Sequence, residues 1–228
     1  MQRLRIRYAK RGRLRFTSHR DFSRAFERAL VRARIPMAYS SGFNPHPRIS
    51  YAGASPTGAA SEAEYLEIGL AQESDPAQIA ELLDEALPDG LDVLAVVVAG
   101  GGSLADRLEA SRWLIDLPDT PEPVLAAAAD AFLAADSVAV ERMTKKGLRT
   151  FDSRAAVLAL TVTAYDAGSR LDVLLRHTVP SVRPDDVLSG LTHCSGLEID
   201  GTPLVTRLEQ GTVDAATGMI LDPFGSDH

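Results

Sequence analysis

The first fifty residues contain almost no acid: Asp21 and Glu27 stand against 13 Lys and Arg. Residues 51–228 hold 11 basic and 29 acidic residues, so a segment of +11 and a remainder of −18 hide behind the whole-chain charge of −7. Cysteine is nearly missing as well. Cys194 stands alone, which excludes an internal disulfide and fits a reducing cytoplasm. Long apolar runs are also missing. The longest, Val93–Ala99, is far short of the ~20 residues that span a bilayer. Met1 is followed by Gln-Arg-Leu-Arg and not by an apolar signal core, so a cytoplasmic protein with no membrane partner is expected.

What is present reads as globular. With 228 residues, 45% hydrophobic and 24% charged, the chain can bury one large core or two small ones. Leu4-Arg5-Ile6-Arg7-Tyr8 and Arg13-Leu14-Arg15-Phe16 alternate apolar and basic residues with a strand's period of two. Lys10-Arg11-Gly12 between them predicts a hairpin turn. A helix is expected from Ser18, with Asp21 at capping-box spacing, to Arg34 before Pro36. Strands are expected at Met37–Tyr39, Arg48–Ala52, Glu64–Leu70 and Leu91–Ala99, with a helix over Asp75–Leu87. After Gly100-Gly101-Gly102-Ser103, read as a turn or linker, the order repeats. The pattern gives a strand at Arg112–Leu117 and a helix from Thr120 to about Ala135. Strands follow at Val138–Met143, Val157–Tyr165 and Leu171–Leu175, then a helix from Arg183 and a strand at Pro203–Glu209. The expected fold is α+β: two tandem ferredoxin-like (βαββαβ) units, antiparallel sheets with helices on one face. The boundaries are 1–102 and 103–213, with 214–228 as a tail.

The first helix carries two opposed stripes. Phe22, Phe26 and Leu30 form an apolar face, while Arg20, Arg24, Arg28 and Arg32 recur at the same spacing two positions out of phase. Like charges at i,i+4 repel, and ordinary solvated faces mix signs to avoid this. An arginine face that forgoes such pairing suits an anion, and Arg5, Arg7, Arg13 and Arg15 would extend it. Six or so phosphate contacts would lose ~10³-fold in affinity between 50 and 200 mM salt.

The loop from Tyr39 to Tyr51 holds Phe43, Asn44, His46 and Arg48, with Pro45 and Pro47 restraining the backbone on either side of His46. Rings interleaved with cations suit unpaired bases and their phosphates, or else plug a core. His19 and His46 together would suit a metal-independent endoribonuclease, if the fold brought them to one atom. Gly53–Gly58 lacks the ending of a phosphate-binding loop. Glu62, Glu64 and Glu67 lack the histidine spacing of a metal site. No metal or cofactor is expected. Lys145-Lys146-Gly147-Leu148-Arg149 reads as a basic hairpin tip.

Phe16–Leu30, Tyr39–Ser50 and Ser61–Glu67 together resemble the radical-SAM-linked protein family, a bacterial domain of unknown function fused after, or encoded near, radical SAM enzymes. The resemblance implies a separately encoded radical SAM partner, since this chain has no Cys-x₃-Cys-x₂-Cys. It brings no catalytic residues. The reading that results is an accessory protein presenting structured RNA, tRNA or rRNA, to a modifying enzyme. A protein-binding adaptor, with no nucleic acid, is the remaining alternative; the oligomeric state is left open.

Overall fold

The computed structural model describes residues 1–144, 147–166 and 168–225. The fold is mixed α+β, and the chain divides into two compact units, Met1–Leu108 with Gln210–His228, and Glu109–Glu209.

In the first unit, β1 (Gln2–Lys10) lies between β3 (Ala60–Leu70) and β4 (Val93–Val98), antiparallel to both. Strand β2 (Ile49–Ala52) pairs with β3; Ile68 faces both Leu4 and Ile49, so β1 and β2 flank β3 on opposite sides. Helices α1 (His19–Arg32) and α2 (Pro76–Ala86) cover one face of this sheet. Phe22, Phe26 and Leu30 from α1 and Ile79 and Leu83 from α2 pack on Leu4, Ile6, Tyr8, Leu66, Ile68 and Leu70. The Tyr8 and Phe22 rings stack at 4.6 Å. Both helices start where their caps predict. Ser18 Oγ accepts the Asp21 N–H at 3.2 Å, and Asp75 accepts from Ala77 ahead of Pro76.

Two expectations need correction. Arg13–Phe16 is not a strand: Gly12–Phe16 is a 3₁₀ turn, entered through Gly12 at φ +53°, and β1 takes its partners from β3 and β4. Four residues of alternation are too few to distinguish a strand from a turn that sends Leu14 to the core and leaves Phe16 in water. Residues 214–225, expected as a tail, pack into the first unit. Strand β11 (Ile220–Leu221) pairs with β10 (Leu204–Val213), and Phe224 packs in a core with Ala52, Ala63, Tyr65, Val97, Leu104 and Leu108. Gly100–Gly102, expected as a turn or linker, is held by side chains of the first unit. Arg5 donates to the carbonyls of Gly100 and Gly102, and Arg107 donates to that of Gly101.

In the second unit the strand order is β10–β5–β9–β8, with β5 (Ala110–Leu117), β8 (Val157–Tyr165) and β9 (Gly168–Arg176). Helices α3 (Glu122–Ala134) and α4 (Pro184–Ser195) pack on each other. A separate two-stranded hairpin, β6 (Ala139–Thr144) with β7 (Gly147–Asp152), falls between α3 and β8. The sequence pattern indicates β6 but not β7. Lys145 and Lys146 lie outside the described residues.

Candidate nucleic-acid interface

The first unit separates its arginines by sheet face. Alternation along β1 sends Leu4, Ile6 and Tyr8 toward α1, which places Arg3, Arg5 and Arg7 on the opposite side. That opposite side is covered around Arg5. Arg5 is only 1% exposed, donating through Nε to Glu67 at 3.2 Å and through a terminal nitrogen to Gly102 O at 2.8 Å. Arg7 donates to Glu62 O and lies 3.8 Å from Asp222. Arg3 pairs with Glu67, and Arg11 with Glu62 and Asp92. The strand arginines therefore do not extend the helix's surface, and Arg5 is not on any surface. The sequence shows the alternation but not the returning segment that buries one face of it.

The helix arginines differ. Arg20, Arg24, Arg28 and Arg32 are all exposed, and none makes an ion pair among the described residues. Arg13, exposed on the 3₁₀ turn, and Arg34, just past the helix end, share that condition. Asp21 is occupied by the Ser18 hydroxyl at 2.7 Å. Arg15 is half-buried on the turn, and its carbonyl accepts from Gly58. Arg24, Glu27, Arg28 and Val31 line a shallow open hollow on the outer side of α1.

The loop beyond the helix is stiff. Ser40 N–H donates to His46 O at 2.9 Å, and His46 N–H donates back to Ser40 Oγ at 3.0 Å. Arg48 Nε reaches Tyr39 O at 3.3 Å, and its own N–H bonds Ala38. Phe43, Asn44 and His46 are left in water at the tip, with Phe43 fully exposed, so Phe43 is not a core plug. Tyr51 is the ring that turns inward. It meets His19 edge-on at 4.9 Å and Phe22 at 5.9 Å, and burial holds its phenol above the usual range.

His19 and His46 have different neighbours. His19 sits edge-on against the Tyr51 ring, whereas His46 is exposed in the loop with its N–H bonded to Ser40. No group of three or more His, Cys, Asp or Glu among the described residues is placed to hold a metal ion. Among those residues no helix is long and apolar enough to cross a membrane.

A model of a family of uncharacterized proteins conserved in bacteria, DUF2344, matches residues 3–184. The chain belongs to that family. No curated protein matches it. Among solved structures, a chain of a Cbf5–Nop10–Gar1 complex is similar with a TM-score of 0.47 and 10% identity, over 98% of this chain and 50% of that one. This DUF2344 chain thus spans half the length of the chain it matches there. The first two RRM domains of a yeast poly(U) binding protein, Pub1, match with a TM-score of 0.21 and 12% identity, over 90% of this chain and 98% of that one. Both scores are too low for either likeness to bear on function. The family match supports a bacterial family of uncharacterized role and carries no link to radical SAM enzymes.

Proposed function

We propose that the chain is an RNA-binding accessory protein built of two tandem ferredoxin-like units, gripping RNA phosphates with the outer face of α1. The strand order β4–β1–β3–β2 supports the ferredoxin-like reading of the first unit, and β10–β5–β9–β8 that of the second. One observation carries the binding reading. Arg3, Arg5, Arg7 and Arg11 each have a carboxylate, whereas Arg20, Arg24, Arg28 and Arg32 have no ion-pair partner among the described residues. Four like charges on one helix repel one another unless an anion is shared between them. RNA phosphate supplies such an anion at regular intervals.

Arg48 and His46 at the loop would add contacts to the same ligand. Presentation of a structured RNA, tRNA or rRNA, to a separately encoded modifying enzyme belongs to this proposal. Only the resemblance quoted above points to a radical SAM enzyme in that role.

Four phosphate contacts lose roughly 50- to 150-fold in affinity between about 50 and 200 mM salt. Filter binding of labelled total RNA at those two concentrations should show such a loss. The variant with Arg20, Arg24, Arg28 and Arg32 all replaced by Ala should bind weakly and with a flat salt response. Binding absent from the native chain, or unchanged in the variant, would sink the reading. Capture of an acidic protein that survives ribonuclease would favour an adaptor instead.

A further inference from the structure

Four aromatic residues are exposed among the described residues, and three of them bracket the arginine face. Phe16 is 67% exposed on the turn that leads into α1, and Tyr39 and Phe43 are 52% and 107% exposed on the loop that follows the helix. The fourth, Tyr165, already has a partner: the Arg170 guanidinium lies 3.6 Å over its ring. Phe16, Tyr39 and Phe43 have no such contact among the described residues, so their apolar surface stays in water.

Their placement follows from the topology. Helix α1 begins after the last residue of β1, Lys10. Beyond its end, Met37 bridges to Leu70, which pairs with Gln2 at the start of β1. The helix therefore runs back along the whole strand, with Phe16 at one end and the Tyr39–Phe43 loop at the other. Between them the arginines recur every fourth residue, a rise of about 6 Å, close to the interval between successive phosphates of a nucleic-acid strand.

We infer that this face holds an unpaired RNA segment of about four nucleotides, with phosphates on Arg20, Arg24, Arg28 and Arg32 and terminal bases stacked on Phe16 and Phe43. The inference rests on the RNA-binding reading above and specifies its ligand. An A-form duplex could meet the arginines, but its bases are stacked on one another and offer no free π-face to the rings. An unpaired strand uses both features. The reciprocal Ser40–His46 bonds and the Arg48–Tyr39 bond hold the loop in advance, so little ordering remains when a base arrives.

Oligo(U), which has little structure of its own, and the U·A duplex of equal length distinguish the possibilities by fluorescence polarisation at one salt concentration. The single strand should bind about tenfold tighter or more. Phe16→Ala and Phe43→Ala should each weaken it by about tenfold, with the salt dependence unchanged. Both rings are in water, so neither substitution disturbs the core. Equal binding of strand and duplex, or native affinity in both phenylalanine variants, would overturn the inference while leaving RNA binding intact. Failure of both probes while labelled total RNA still binds would overturn this inference alone, and failure of total RNA as well would overturn the RNA reading with it.

Discussion

Arg5 and Glu67 pair at 3.2 Å on the sheet face away from α1, and the arginine side chain is 2% exposed while the glutamate is 14% exposed. The two are not equivalent. Glu67 also holds the more exposed Arg3 at 3.0 Å, so it keeps a partner if Arg5 is lost. Arg5 would keep only carbonyl groups if the carboxylate were lost. Glu67→Gln should therefore cost about 3 kcal/mol, the penalty of a buried cation left unpaired, and Arg5→Met clearly less. Urea unfolding of the two variants measures the difference; equal losses would contradict this account. Arg5→Met should bind RNA like the native chain.

Phe224 makes the second prediction. It meets the Tyr65 ring edge-on at 5.4 Å and is 8% exposed. Phe224→Ala should destabilise by about 3 kcal/mol or more, through lost burial and the cavity left behind. An unchanged denaturation midpoint would mean that residues 214–225 contribute nothing to the first unit. Gly211 offers an independent check, because a Cβ there would fall 1.9 Å from Leu221 O. Gly211→Ala should separate β11 from β10.

These two sites show what the sequence reveals and what it hides. The helix α1 is legible because Phe22, Phe26 and Leu30 repeat within a single element, and the same period exposes the arginine stripe. The loop is legible because Pro45 and Pro47 act on their immediate neighbours. The fate of Arg5 and Arg7 is not legible, since it depends on residues near 100 and 222 returning across the sheet. Phe16 and Tyr39 are not legible as site residues, because an aromatic residue in sequence gives no sign of being left in water.

Asp152 predicts a pH dependence in the second unit. Desolvation pushes its carboxyl upward, but N–H groups of Val138, Ala155 and Arg154 and the Ser137 hydroxyl outweigh this and leave it below the usual aspartate range. Its Oδ1 accepts Val138 N–H at 3.0 Å, Arg154 N–H at 2.9 Å and Ala155 N–H at 3.3 Å. A carboxylate whose folded pKa is depressed contributes stability above the unfolded value of about 3.9, and loses it as pH falls through the folded value. Stability by urea titration should therefore fall between about pH 5 and pH 2, and Asp152→Asn should reduce that fall. An acid limb identical in the variant would remove Asp152 as a contributor.

Arg34 sets stability against binding. It adopts φ +54° immediately after α1, the left-handed geometry that glycine takes without steric cost, while Ile35 N–H closes back on Leu30 O at 3.0 Å. A non-glycine residue there costs on the order of 1 kcal/mol. The arginine is exposed and has no ion-pair partner among the described residues, at the end of the helix nearest the Phe43 loop. Arg34→Gly should raise stability by about 1 kcal/mol and at the same time weaken RNA binding, with a shallower salt slope. Arg34→Lys should keep the strain and most of the affinity. A glycine variant that is more stable and binds as well as the native chain would remove Arg34 from the interface and leave its strain without a purpose.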